Sequence, residues 1–302
     1  QGKLQVTAPV SGDVWYYGDT NRVISWFAWG TVTNIKIEYK TSLAGGYTTI
    51  VSNYRVHTAA GNSYTWSAGV ADEKSESCYI RVSDANNSSV EAVSEVFAIR
   101  PRITVSAPLA GTDFLVGSDN ANAVQWSING STKVSTVNVV YSTTGAAGSF
   151  DKSILAGVTA SNGQCNWDDV ADYIGNNVVV RVVDTGNANV WGNSGVIGIK
   201  GSITISQPAG SEDWKVGETT HNIVWTKTGT IGTVNIYADY GSGYEAVPVG
   251  TADAEAVGLW NWTPTPDKVS NSVKIKVTDA DNESKTFVES NVFHIVGSFS
   301  IS

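Results

Sequence analysis

Apolar and polar residues alternate with a period of two along most of this chain, in short runs interrupted by Gly, Asn, Asp and Ser. Leu4 to Thr7 reads as an opening strand, stopped by Pro9 and the turn at Ser11-Gly12-Asp13. Arg22 to Trp26 alternates as a second strand. Asn34 to Tyr39 is a third, with Ile35, Ile37 and Tyr39 on one face. After Gly45-Gly46 a weaker strand runs near Tyr47 to Val51, and Tyr64 to Trp66, Cys78 to Val82 and Val93 to Ile99 complete the set. No segment sustains a helical period. About seven short strands with turn signals roughly every ten residues predict an all-β antiparallel sandwich.

The same pattern occurs three times, about 100 residues apart, a spacing wide enough for each copy to bury its own core. Ile24-Ser25-Trp26, Val124-Gln125-Trp126 and Ile223-Val224-Trp225 mark one position. Tyr64-Thr65-Trp66, Cys165-Asn166-Trp167 and Trp260-Asn261-Trp262 mark a second. Ile80 to Asp84, Val180 to Asp184 and Ile275 to Asp279 mark a third, and Ser94, Ser194 and Ser290 open the closing segment. The expected units are residues 1–101, 102–200 and 201–296, with links of only two or three residues that predict a semi-rigid rod. Residues 297–302 repeat the opening strand of the third unit. They are expected either to begin a further unit of a longer protein or to donate a strand to a neighbouring molecule, with Phe299 and Ile301 as its contacts.

The repeated aromatics are assigned to cores. Trp26, Trp126 and Trp225 point inward on the second strand, and Trp66, Trp167 and Trp262 do so on the fifth. Trp15, Phe114 and Trp214 are expected to plug one end of each sandwich. Losing any of these tryptophans should cost about 3–5 kcal/mol. Cys78 and Cys165 belong to different units at core positions, so they are expected to be buried thiols rather than a bridge.

The string Pro9, Gly12, Trp15, Gly18, Ile24, Trp26, Ile35-Lys36-Ile37, followed by Tyr64-Thr65-Trp66, Tyr79 to Asp84 and Ser94 to Ile99, resembles a known module. It is similar to the immunoglobulin-like repeat of the Ser-Thr-rich GPI-anchored family, related to yeast cell-wall glucan-synthesis proteins and found in tandem in large bacterial surface proteins. The resemblance spans all three copies. The second departs most, with Phe114 for the first Trp and Gly198 near the final strand. It implies tandem immunoglobulin-like sandwiches at the cell surface, in an S-layer, adhesin stalk or fibre, and no particular activity.

Charge narrows the partners. A net charge of -9 with 16% charged residues provides no basic stripe for nucleic acid. No run of 18 or more apolar residues occurs, so no membrane-spanning helix is expected. The chain begins without Met, and any leader is expected either to have been removed or never to have belonged to this stretch of sequence. His57, His221 and His294 occupy unrelated positions, and no nucleophile, phosphate or zinc motif appears, so no enzyme is expected.

Acidic loops offer one ion chemistry. Asp72, Glu73 and Glu76, then Asp168, Asp169 and Asp172, precede the sixth strand of units one and two. They are expected to meet Asp184, and then Asp279, Asp281 and Glu283, of the following unit and to hold Ca2+, the sole cofactor candidate; the alternative is that Asp84, Asp184 and Asp279 form Asx turns and that loop acids serve solubility. Asn86, Asn87, Asn129, Asn261 and Asn282 open glycosylation sequons. Three aromatics without counterparts, Phe27, Trp29 and Trp191, are expected at interfaces: Trp191 against unit one, and Phe27 and Trp29, in a loop, against whatever precedes it. The partners these features suggest are copies of the chain or adjoining repeats. A surface glycan is the alternative, which would make this a carbohydrate-binding accessory region of a wall-associated protein.

Overall fold

A computed structural model describes residues 2–57 and 61–298; Phe299 and Ile301 lie outside them. The first unit comprises β1 (Lys3–Ala8), β2 (Val14–Tyr16), β3 (Val23–Trp29), β4 (Asn34–Lys40), β5 (Thr48–Arg55), β6 (Asn62–Thr65), β7 (Ser75–Asp84), β8 (Asn87–Val93) and β9 (Phe97–Arg100). Strands β1, β3 and β6 form a small sheet. The large sheet runs β2-β9-β7-β4-β5, with β8 also on β7. Both later units repeat this arrangement strand for strand. The protein is therefore all-β, three immunoglobulin-like sandwiches in tandem.

Alternation decides which face each strand buries. On β3, Ile24, Trp26 and Ala28 are buried, while Val23 and Trp29 are exposed. On β7, Cys78, Ile80 and Val82 face the core. The three cores are built from equivalent positions: Leu4 to Ile99, Ile103 to Ile199, and Ile203 to Ile295. The indoles of Trp26, Trp126 and Trp225 are at most 5% exposed, as are the Cys78 thiol and the repeated Trp66, Trp167 and Trp262 to within one per cent. Cys78 and Cys165 are free and buried, and burial pushes the Cys165 thiol up to about 11.

Two features depart from the sequence expectation. Trp15, Phe114 and Trp214 sit on a short strand of their own. That strand pairs in parallel with the last strand of its unit (Trp15 opposite Ile99, Phe114 opposite Ile199, Trp214 opposite Ile295). A three-residue strand is too short to show periodicity. The closing segment, expected as one strand from Val93 to Ile99, divides into β8 and β9, both paired with the long β7. Ser94 marks the division. Its hydroxyl accepts the Ile80 N–H at 2.9 Å and donates to the Glu95 carbonyl at 2.7 Å. Ser194 and Ser290 make the same pair of bonds to Val180 and Gly195 and to Ile275 and Asn291. The repeated serine satisfies backbone groups where the ladder is interrupted.

Candidate functional site

The contacts that set these units apart from isolated sandwiches lie where one unit meets the next. At the first junction the Asp72 carboxylate accepts the Ser131 hydroxyl at 2.5 Å and the Thr132 N–H and hydroxyl at 2.8 Å each. Burial pushes the Asp72 pKa up, but these donors outweigh it and hold the group below its ordinary value. Lys74 donates to Asp184 at 2.7 Å, with the acid side chain 1% exposed. Asn187 donates to Glu76, which Arg100 of its own unit also clamps with two bonds. Lys133 lies 3.8 Å from Glu73.

The second junction uses the same positions. Asp172, the counterpart of Asp72, accepts the Thr230 hydroxyl at 2.6 Å. Asn176, the counterpart of Glu76, donates to Asn282 at 3.2 Å. Lys285 reaches back to Asp113 at 2.7 Å. One substitution changes the chemistry: Ile174 stands where unit one has Lys74, and it packs against the core of unit three. Asp279, the counterpart of Asp184, is 2% exposed and borders a cleft of about 210 Å3 lined also by Ile174, Asn176, Thr230, Asp281 and Asn282. Burial raises its pKa above the ordinary aspartate value.

Of the acids expected to converge, Asp72, Glu73, Glu76, Asp172, Asp184, Asp279 and Asp281 lie at the junctions. The donors that meet them, Lys74, Ser131, Thr132, Thr230 and Asn187, escaped sequence reasoning because pairing across units leaves no local pattern. Asp168 and Asp169 are exposed, and Asp169 makes its backbone bond to Asp119 within unit two. Among the described residues, no group of three or more Asp, Glu, His or Cys is gathered as a metal-ligand set.

The aromatic expectations need correcting. Phe27 and Trp29 lie on β3 itself, because pairing with β1 continues to Lys3 opposite Trp29. They form a tilted pair 5.7 Å apart on the outer face of the small sheet, with the Lys3 ammonium 5.2 Å from Trp29. Trp191 stacks on Arg181 of its own unit at 4.0 Å and is 45% exposed, so its contact is within the unit. It also has a counterpart. Ladder register places Trp191 opposite Val183 and Phe287 opposite Thr278, as Glu91 is opposite Ser83. Unequal hairpin lengths hid that equivalence in the sequence.

The histidines form three separate environments. The His221 ring stacks on Trp214 at 4.5 Å and its Nε2 is 2.7 Å from Glu218, His294 pairs with Asp213, and His57 contacts Tyr54. Among the described residues, no helix is long and apolar enough to cross a membrane.

No family model and no curated protein matches the sequence. Solved structures of similar build do exist. Three immunoglobulin domains of titin, an E-to-A variant, align over 98% of this chain and 97% of theirs, at 9% identity and TM-score 0.33. Extracellular domains 3–5 of Drosophila OTK align over 98% of both chains, at 11% identity and TM-score 0.36. A tetra-tandem repeat from the extending region of a large adhesion protein aligns over 98% of this chain and 74% of that one, at 14% identity and TM-score 0.28. At such identities the likeness concerns the kind of fold alone.

Proposed function

We propose that this chain is a non-enzymatic structural segment of a cell-surface protein, a semi-rigid run of docked immunoglobulin-like units serving an S-layer, an adhesin stalk or an extracellular fibre. One observation carries the reading: both junctions are made by equivalent residues, with Asp72 and Asp172 each taking a hydroxyl from the next unit. Reuse of one docking geometry is how a repeat array keeps a constant angle between its members. The same pole of unit three carries Asp267 and an exposed Val269 at the positions of Asp172 and Ile174, so it presents the chemistry that joins units one and two to their successors. An extracellular site fits the family resemblance and the turn-rich, weakly charged surface.

Small-angle scattering tests the rod. The intact chain should show one extended maximum dimension, and Asp72→Ala with Asp172→Ala should broaden its distance distribution. A wild-type profile already as broad as that of the double variant would discard the reading. Imaging a periodic coat or fibre on the source cells would then separate the surface-layer and stalk assignments.

A further inference from the structure

The three units carry the same device on the outward face of the large sheet, completed differently in each. A basic residue sits at one ladder position, Arg81, Arg181 or Lys276, and an aromatic from the loop after a glycine turn, Tyr47, Phe150 or Tyr244, lies against it at 3.8, 3.6 and 4.7 Å. In unit one, Arg81 is neutralised. Its Nε and Nη2 donate to Glu38 at 3.0 and 2.6 Å, and Nη1 donates to Glu91 at 3.2 Å. In unit three, Lys276 lies between Tyr237 and Tyr244, with Glu289 opposite it in the ladder and Glu283 bonded to the Tyr237 hydroxyl.

Unit two lacks the acids. Register puts Val140 beside Arg181 where Glu38 stands beside Arg81, and Trp191 where Glu91 stands. The guanidinium carbon lies 3.6 Å from the Phe150 ring centre and 4.0 Å from that of Trp191, and its Nε donates to Asn193 at 2.8 Å. Among the described residues, nothing pairs with its Nη1 or Nη2. Burial works against both guanidinium charges. The carboxylates keep Arg81 above its ordinary pKa, whereas Arg181, with nothing to offset burial, is drawn below it.

We propose that this face of unit two is a binding site for acidic saccharides, with Arg181 as the fork for a uronate carboxylate and Trp191 as the platform for the sugar ring. A guanidinium restrained by two ring contacts and an Nε hydrogen bond, with no described partner on its terminal N–H groups, can meet a carboxylate bidentately. The indole it lies over is 45% exposed and supplies apolar surface for a sugar ring, which a peptide carboxylate alone would leave uncovered. The net charge of -9 opposes general anion adsorption, so binding depends on this local arrangement.

The test is calorimetric titration of the whole chain with an oligogalacturonate, its methyl-esterified form and polyglutamate at low salt. The acidic sugar should bind, and esterification should weaken it about tenfold or more, the scale set by losing one charge-assisted contact. Arg181→Gln and Trp191→Glu should each weaken it similarly, while Arg81→Gln leaves it unchanged. Trp191→Glu installs the acid that unit one already carries, and an unchanged melting curve certifies its fold. Absence of oligogalacturonate binding, indifference to esterification or to these variants, or equal binding of polyglutamate would each overturn the proposal. None of those outcomes touches the junction contacts on which the rod depends.

Discussion

At the first junction Lys74 meets Asp184, whereas at the second Ile174 occupies the lysine's place and Asp279 is buried without that ammonium. The acid is retained at both because it has a local task. Its Oδ1 accepts a backbone N–H two residues on, from Gly186 in unit two and Asp281 in unit three, as Asp84 does from Asn86 in unit one. This Asx turn shapes the hairpin whether or not another unit covers it. Covering it then creates an electrostatic problem that the neighbour answers with a cation at one junction and leaves to the carboxyl itself at the other. The difference teaches that the acid belongs to the unit, while its charge partner belongs to the junction.

The largest expected effect comes from breaking the pair. Lys74→Ala leaves Asp184 buried and uncompensated and should cost about 3 kcal/mol, within the range for orphaned buried charges. Differential scanning calorimetry should show it as a lowered transition for the first two units. Adding Asp184→Asn should recover most of the loss, and a single variant that melts like wild type would remove the ion pair from the account. Next comes Ile174→Ala, which deletes apolar contact with unit three and should cost about 1–2 kcal/mol for a half-buried side chain. That loss should be unchanged between low and high salt; dependence on salt would show that the second junction is electrostatic after all.

A smaller and pH-dependent effect belongs to Asp279. Its folded pKa is raised, so the penalty for burying the charge is full above that pKa. The penalty is relieved as pH falls through it, and is gone below the unfolded value of about 3.9. Asp279→Asn should therefore raise the melting temperature of unit three by a few degrees at neutral pH and by nothing in acid. An advantage that persists in acid would mean the carboxylate charge is not the cause. Smallest of all, 1 M NaCl should weaken the first junction by a few tenths of a kcal/mol more than the second, because Lys74 is partly exposed. Domain-orientation measurements by residual dipolar couplings would detect it as added motion between units one and two only.

Much of each unit was legible because its determinants are local. Ile24, Trp26 and Ala28 alternate with Ser25 and Phe27, and that alternation dictates which face of β3 is buried. The strand of Trp15 was not legible, since three residues carry no period and its partner β9 is some 80 residues away. The acids of the junctions could be named from loop position, but Lys74 looks like any loop lysine until Asp184 lies 2.7 Å from it. Trp191 and Phe287 were separated by a hairpin of different length, and only ladder register aligned them.

The amino-acid order alone thus determined three all-β units and their tryptophan-lined cores, because burial by alternation needs no knowledge of distant residues. Tertiary structure alone decided which donor meets which acid between units, and which of three similar basic residues lacks a carboxylate. The first outcome depends on side chains about 60 to 170 positions apart converging on one point, the second on ladder neighbours from different strands, and solvent removal there, rather than sequence pattern, sets the strength of each charge.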